Sequence, residues 1–431
     1  MRILADVDRA AAPLREAEEG FPLRVGARPF AFMAAVSVLI AAAYYSWGMV
    51  VASPDWFQVD MRIYLDATRT MLEGGDLYSA EPPFNYPPFA AFVFAPLVPL
   101  GSIAASVPWY LAKLTCLQLV VWWYLQHRGL SVRRRAAVTA AAALLLPVFM
   151  EPLSHGFSTG QVNLLLLFLV LVDLVRPQNS RWRGVLTGIA AGIKIVPALF
   201  IVYLVVSRQF RAAGMACASL GATIVAGFLV LPGTAWTYWT SVLWATDRVH
   251  EHPASPLNQS IMGVVARFAH SEDVRLAWFA LAACFTLAAL VVAAGHHRRG
   301  ASLEALTLVG LAVPMATPHA WTHHWAWLLP AVLLLFTWGR GSAWRMGIAV
   351  FLILLTVART YLAASLASGG DVWTHVGSLD MSAFEQLLAA PLVIFAVAFT
   401  AISALKLREP TGPARAAAGS AGHEEGSWTA R

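Results

Sequence analysis

Long apolar runs with almost no charged residues constrain this sequence more than any other feature. Two of them, residues 29–51 and 104–126, are close to the roughly 20 residues that an α-helix needs to cross the hydrocarbon core of a bilayer. Only 13% of the 431 residues are charged, whereas about a quarter are charged in a soluble domain. Much of the surface must therefore face lipid, and the sequence predicts an all-α polytopic membrane protein.

Clusters of basic residues recur in the short segments between the apolar runs, for example at residues 133–135 and 208–211. Because arginine and lysine are enriched in cytoplasmic loops, these clusters orient the chain in the membrane. They explain the net charge of +6 better than nucleic-acid binding does, and we expect no nucleic-acid partner. With these loops in the cytoplasm, the count comes to about twelve transmembrane helices and both termini are cytoplasmic.

Two segments need special treatment in this count. Residues 87–100 contain four prolines and are too short for a full crossing, so we predict a partial or interfacial helix there. Residues 184–206 are flanked by arginines and carry Lys194 in their middle. A hairpin of two short helices, with Lys194 near its tip, keeps both ends in the cytoplasm. Half-length helices are tolerated where they line a cavity inside the protein.

The charge pattern also divides the chain into three parts. Residues 1–28 alternate acids and arginines and are predicted to form a cytoplasmic tail, and the apolar run that follows is too long for a cleaved signal peptide. Residues 29–408 form the predicted transmembrane domain, which includes an amphipathic extracytoplasmic loop at residues 52–86. Residues 409–431 are rich in Ala, Gly and Ser, and we expect a disordered cytoplasmic tail.

Reactive polar residues gather on the extracytoplasmic side under this topology. Most of the twelve histidines fall there, and the first outer loop carries Asp60 soon after the first apolar run. A carboxylate at this interface can take a proton from a sugar hydroxyl as a general base. The alternative is an N-cap for a helix that begins at Met61, because Asp is a favoured cap residue. Spacing by itself leaves both interpretations open.

Several short motifs follow one another along the chain: Asp60…Tyr64…Gly75-Asp76-Leu77-Tyr78…Tyr86-Pro87-Pro88, Gly160-Gln161-Val162-Asn163, residues 188–197 around Lys194, Asn258-Gln259-Ser260 and His323-His324-Trp325. Together they resemble glycosyltransferase family 87 over most of the chain. The resemblance implies a GT-C fold, a polyprenyl-phosphate sugar donor and an inverting transfer in which Asp60 is the catalytic base. It also implies chemistry without a metal ion or another cofactor.

The resemblance and the residue chemistry together indicate groups for binding the donor phosphate or the acceptor. Lys194 is the obvious charge deep in an apolar run, and a cation stabilises the charge that builds on a departing phosphate. The alternative for Lys194 is a side chain that snorkels to the membrane surface. His323 and His324 are candidates for hydrogen bonds to the phosphate or the acceptor. Further candidates are Asn258 and Gln259, with helix capping as the alternative, Arg62, with local pairing to Asp60 as the alternative, and Tyr64 and Tyr86.

These expectations combine into one functional prediction. The resemblance implies transfer of mannose from polyprenyl phosphomannose to a mannosylated phosphatidylinositol, with formation of an α-1,2 linkage. It also implies that the reaction takes place at the periplasmic face of a bacterial plasma membrane, whose lipids surround the protein. No metal site is predicted, because the triplet His250-Glu251-His252 is more typical of a polar surface loop. Two alternatives stay open: a GT-C transferase for another sugar or acceptor, such as arabinofuranosyl transfer or lipomannan branching, and a lipid-linked sugar transporter.

Overall fold

The computed structural model describes residues 25–51, 57–79, 83–245, 252–339, 342–357 and 382–408. Within these ranges the chain forms α-helices and short 3-10 helices, without a β-strand. Helices suit a chain of this composition, because a helix satisfies its own backbone hydrogen bonds where lipid offers none. Of the predicted segments, the tails at residues 1–24 and 409–431, the start of the first outer loop at residues 52–56 and the pair His250-Glu251 lie outside the described residues.

The described α-helices are, in chain order, α1 Ala27–Val51, α2 Val59–Leu72, α3 Pro88–Phe94, α4 Ser102–His127, α5 Val132–Phe149, α6 Glu151–Thr159, α7 Asn163–Leu174, α8 Val185–Ile193, α9 Leu199–Val206, α10 Phe210–Val230, α11 Pro232–Thr240, α12 Ile261–Ala269, α13 Arg275–Arg298, α14 Ser302–Ala316, α15 Leu328–Trp338, α16 Ala343–Val357, α17 Ala383–Leu388 and α18 Pro391–Lys406. Short 3-10 helices cover Ala95–Leu100, Val196–Ala198, Val242–Trp244 and Thr322–Trp325.

Several of these helices suit a membrane. Among the described residues, 4 helices are long and apolar enough to cross it, namely α1, α4, α10 and α13. The pair α5 and α6 makes a further candidate span, bent by 82° at the junction between the two helices. Shorter apolar helices of 10–17 residues accompany them. The chain is therefore a helical membrane protein, while the total of about twelve spans and the GT-C arrangement stay predictions.

The two segments that needed special treatment form short helices. Residues 88–100 form α3 and the 3-10 helix Ala95–Leu100, with Pro99 inside the latter. The segment 185–206 forms α8 and α9, and the helical path breaks at Lys194. Arg183, just before α8, donates to Oε1 of Gln209, just after α9, at 3.2 and 2.7 Å. The two ends therefore lie together, and Lys194 is at the tip of the hairpin that the sequence predicts.

A glycine and a buried carboxylate fix the hairpin in place. A Cβ atom added at Gly192 would come within 2.2 Å of Oγ1 of Thr223 on α10, far inside ordinary contact distance, so only glycine permits this approach of α8 to α10. At the opposite end, Asp173 of α7 accepts hydrogen bonds from the backbone nitrogens of Gly184 and Thr187, each at 2.9 Å. Contacts near the tip and at the base of the hairpin thus hold Lys194 in place.

Candidate functional site

Asp60 lies in the first turn of α2, which begins at Val59 and follows Gln58 as its N-cap residue. The interpretation of Asp60 as the N-cap is therefore wrong. Its carboxylate instead accepts hydrogen bonds from the side chains of Thr159, at the end of α6, and Gln161, which follows α6. A negative charge in the first turn also interacts favourably with the helix dipole. The carboxylate thus joins two segments that are far apart in the sequence.

The surroundings of Asp60 tune its acidity. Burial raises the pKa of Asp60 to about 6. The hydrogen bonds from Thr159 and Gln161 and the positive charges of Lys194 and Lys113 lower the pKa, because they favour the carboxylate form. A general base is most effective when its pKa lies near the operating pH. Asp60 is therefore mostly ionised at neutral pH and is able to accept a proton.

Tyr64 and Tyr86 lie in a buried hydrogen-bonded chain beside Asp60. Their hydroxyl oxygens are 2.9 Å apart, and the hydroxyl of Tyr64 donates to Oε1 of Gln161 at 2.9 Å. Because an ionised carboxylate only accepts hydrogen bonds, Gln161 binds the Asp60 carboxylate with its amide nitrogen. The two tyrosines therefore orient the amide that holds the carboxylate, and their contact with substrate stays a prediction. Arg62 is partly buried on α2, and its role also stays a prediction.

Lys194 brings a positive charge to this chain from the tip of the hairpin. Its Nζ donates to Oδ1 of Asn163 at 3.0 Å and lies 3.5 Å from both the hydroxyl of Tyr86 and Nε2 of His324. It also lies 5.1 Å from the centre of the Tyr86 ring. All of these partners belong to the site, so the side chain does not snorkel away to the membrane surface. An ammonium group in this position is able to bind a phosphate.

His323 and His324 occupy the 3-10 helix between α14 and α15. The ring of His323 lies between those of His155 and His324, at centroid distances of 4.8 and 4.6 Å. Burial, together with the positive charge of Lys194, lowers the pKa of both His323 and His324 well below the usual range. They are therefore neutral at pH 7. At this site the histidines offer hydrogen bonds, and Lys194 offers charge.

Asn258 and Gln259 precede α12, and their side chains bind backbone groups. Nδ2 of Asn258 donates to the carbonyl oxygen of Pro318 at 3.0 Å, and Nε2 of Gln259 donates to that of Ala389 at 2.7 Å. These bonds connect the start of α12 to Pro318, which precedes the two histidines, and to Ala389, which precedes α18. Both residues thus hold the backbone around the site, and their predicted contact with substrate stays a prediction.

A narrow apolar cavity opens beside the hairpin tip, with a volume of about 30 Å³. Its polar end is formed by Asn163 and His324, the two residues that Lys194 also contacts. A charged head group bound by Lys194 would therefore place the start of an attached apolar chain against the apolar side chains of this cavity. The apolar lining comes from α7, the hairpin, α14 and the start of α15: Leu166, Leu167, Val170, Val196, Pro197, Phe200, Val313, Ala326 and Trp327.

Comparison with known proteins identifies the family. The model of glycosyltransferase family 87 matches residues 84–318. The chain belongs to this family. The resemblance drawn from the motifs is confirmed, and this family 87 protein is a glycosyltransferase.

Curated relatives of this family 87 chain match it over most of its length. A Mycobacterium tuberculosis protein named polyprenol-phosphate-mannose-dependent alpha-(1-2)-phosphatidylinositol mannoside mannosyltransferase is 30% identical, over 87% of this chain and 91% of its own. A Mycolicibacterium smegmatis protein of the same name is 29% identical, over 82% and 88%. A second M. smegmatis protein is named polyprenol-phosphate-mannose-dependent alpha-(1-2)-phosphatidylinositol pentamannoside mannosyltransferase. It is 32% identical, over 70% of this chain and 73% of its own. No solved structure matches the chain significantly.

The family 87 chain has a second buried lysine, which sequence reasoning missed. The view that Lys194 is the obvious charge deep in an apolar run is incomplete, because Lys113 lies in the middle of α4 and is only 1% exposed. Its Nζ donates to the carbonyl oxygen of Gly156 at 2.9 Å and lies 4.9 Å from the ring centre of Phe157. Ionisable residues inside membrane helices are rare and are commonly functional. The isolated lysine in the run of residues 104–126 was the signal.

Thr159, Gln161 and Asn163 also belong to the site, beyond the candidates that the sequence predicts. Two of them belong to the motif Gly160-Gln161-Val162-Asn163, which the family resemblance had already marked. In the part of the chain that the structure describes, no three His, Cys, Asp or Glu side chains converge as metal ligands. Metal-independent chemistry stays a prediction for this family 87 glycosyltransferase.

Proposed function

We propose that the chain transfers mannose from a polyprenyl phosphate donor to a mannosylated phosphatidylinositol and forms an α-1,2 linkage. One observation carries the proposal: an ionised carboxylate, Asp60, lies in the electrostatic field of Lys194, which is flanked by His324 and Asn163 beside an apolar cavity. A base and a phosphate-binding cation next to an apolar cavity suit a lipid-linked sugar donor. The names of the curated relatives supply the sugar, the linkage and the acceptor class.

The proposed reaction is a single displacement. An acceptor hydroxyl oxygen forms the new bond to the anomeric carbon, and its proton passes to the carboxylate of Asp60. The bond from that carbon to the phosphate oxygen breaks, and its electron pair leaves with the phosphate. One displacement inverts the configuration, so a β-linked donor yields an α-linked product. By analogy with glycoside hydrolysis, the transition state has oxocarbenium character.

Charge on the departing phosphate is the second requirement of this reaction. Lys194 supplies a positive charge at the hairpin tip, and the neutral His323 and His324 supply hydrogen bonds. Groups that are already in place where charge develops stabilise the transition state without reorganisation. The apolar side chains that line the cavity beside Lys194 then contact the start of the polyprenyl chain of the donor, which keeps the phosphate at the cation.

We assign the site to the periplasmic face of a bacterial plasma membrane. The ends of the hairpin carry Arg183 and Arg211, whose side chains bind Gln209 and the backbone of Asn179, whereas its tip carries Lys194 and faces Asp60. Because arginine-rich ends stay in the cytoplasm, the tip is directed away from it. The donor and acceptor are both lipids, so they reach this site within the outer leaflet.

The test uses the purified chain in lipid nanodiscs with radiolabelled polyprenyl phosphomannose and a phosphatidylinositol mannoside acceptor. We expect a product longer by one mannose that an α-1,2-specific mannosidase digests. A parallel reaction with a polyprenyl-phosphate arabinofuranose donor should give no product. Arabinose transfer in place of mannose transfer, a product that resists the mannosidase, or movement of the donor across the bilayer without transfer would each overturn the proposal.

A further inference from the structure

Gln58, at the N-cap position of α2, has a backbone conformation that a residue with a long side chain rarely adopts. Its φ and ψ angles are 58° and 33°, in the left-handed region. Within the described ranges, the other non-glycine residues with positive φ are Arg208 and His270. Gly, Asn and Asp are the usual residues in this region. A glutamine persists there when surrounding contacts hold it, and such strained residues cluster at functional sites.

The hydrogen bonds that Gln58 donates go to the end of α6. Gln58 is fully buried, its backbone nitrogen donates to the carbonyl oxygen of Ser158 at 2.8 Å, and its Nε2 donates to those of Phe157 and Ser158 at 2.9 and 3.3 Å. The last carbonyls of a helix lack partners within it, so a side chain that reaches them satisfies them. Asparagine would suit the backbone angles better, but it is one carbon shorter.

Close packing of α6 on α2 depends on the residue that follows. Gly160 has a φ of 87°, and a Cβ atom added to it would lie 2.9 Å from both Oε1 of Gln58 and Cβ of Met61. The last turn of α6 therefore lies directly against the first turn of α2. Gln58 fills the junction between them, and Asp60 follows two residues later.

The same turn of α6 contacts both halves of the site. On one side, Thr159 donates to the carboxylate of Asp60. On the other side, Nδ1 of His155 is 2.7 Å from the hydroxyl of Thr322, and an added Cβ at Gly156 would lie 3.8 Å from Cβ of His323. A shift of α2 relative to α6 would therefore change the position of Asp60 relative to the histidines.

We propose that Gln58 is a positioning residue for the transferase: its side chain fixes the first turn of α2 on the last turn of α6 and so sets Asp60 in register with His323 and Lys194. This proposal rests on the proposed function, in which Asp60 is the base. The strained backbone is retained because only a side chain as long as glutamine spans the junction and donates to both carbonyls.

The test compares Gln58→Gly and Gln58→Glu with the wild-type chain. Glycine relieves the backbone strain but removes the side chain, and glutamate keeps the length but cannot donate to the carbonyls when ionised. We expect kcat to fall by about 10- to 100-fold in both variants, because a displacement of about 1 Å can cost 100-fold. The KM values for donor and acceptor should stay within about 2-fold, since Lys194 and the histidines are unchanged.

His270→Gly is the matched control, because it relieves positive φ at the end of α12 and should leave kcat unchanged. Unchanged kcat in Gln58→Gly would overturn the positioning role while leaving the proposed function intact. A wild-type chain that transfers no mannose would instead overturn the proposed function. A second readout needs no activity: in a cryo-EM structure of Gln58→Gly, Asp60 should have moved away from Thr159. An unmoved Asp60 would contradict the proposal.

Discussion

Asp60 and Asp173 are two carboxylates within the protein that differ in what surrounds them. Oδ2 of Asp173 accepts three hydrogen bonds, from the backbone nitrogens of Gly184 and Thr187 and from the hydroxyl of Thr187, at 2.8 to 2.9 Å. All three partners belong to the start of α8. Asp60 instead accepts hydrogen bonds from the side chains of Thr159 and Gln161 and lies in the field of two lysines.

This difference agrees with the proposal that Asp60 is the base, and we expect Asp173 to have a structural role. Two of the three partners of Asp173 are free backbone donors at a helix start, so its carboxylate satisfies groups that the helix itself leaves unpaired. Asp60 is only partly buried, close to a cation and an apolar cavity, so a substrate hydroxyl can approach it. Removing charge should therefore cost activity at Asp60 and stability at Asp173.

The largest expected effect is that of Asp60→Asn on turnover. Asparagine keeps the size of the side chain but cannot accept a proton, so kcat should fall by about 10²- to 10⁴-fold. Mannose transfer by the purified variant at saturating donor measures this loss. Asp66→Asn is the matched control, because Asp66 is exposed on the same helix and pairs with Arg69. Full activity of Asp60→Asn would contradict the proposed role of Asp60 as the base and its difference from Asp173.

Lys194→Met tests the second group of the proposed chemistry, the cation that binds the departing phosphate. Loss of the ammonium leaves the departing phosphate without its cation, and removal of one such group commonly costs about 10²- to 10³-fold in kcat. Single-turnover transfer from the radiolabelled donor gives the rate of the chemical step. Lys406→Met, at the far end of α18, should behave like the wild-type chain. If both variants transferred mannose at the same rate, Lys194 would have no role at the phosphate.

The pH dependence of kcat/KM should follow the protonation of Asp60. Because burial raises the pKa of Asp60 to about 6, kcat/KM should be constant at neutral pH and fall about tenfold per pH unit well below pH 6, where the base is protonated. In Lys194→Met the acid limb should move to higher pH, since Lys194 lowers the pKa of Asp60. A profile of kcat/KM against pH for both chains tests this. A limb that moved to lower pH would contradict the assignment.

Asp173→Ala should have the smallest effect on turnover and a clear effect on stability. It leaves the backbone donors of Gly184 and Thr187 without their acceptor, which costs about 1–3 kcal/mol for each buried group left unpaired. We expect a lower Tm, measured by intrinsic fluorescence in nanodiscs. The kcat per folded molecule should stay within about 3-fold of wild type, because Asp173 binds the start of α8 and Lys194 follows its other end. A loss of turnover as large as that of Asp60→Asn, with Tm unchanged, would contradict a structural role for Asp173.

Features that depend on short stretches of sequence were predictable. The apolar runs define a helical membrane protein because the length of a span and the cost of burying charge are properties of the segment itself. The same reasoning predicted the hairpin with Lys194 at its tip, which the bonds between Arg183 and Gln209 bear out. Ordered motifs predicted family 87, which the family match confirms.

The sequence by itself determined the class of the molecule, its family and the two residues, Asp60 and Lys194, on which the proposed chemistry rests. Only the tertiary structure decided that Gln58 rather than Asp60 occupies the N-cap position of α2, that Lys113 is part of the surroundings of Asp60, and that Thr159 reaches its carboxylate. These facts depend on contacts between helices that are distant in the chain. No local pattern encodes such contacts, because they follow from how closely the helices pack.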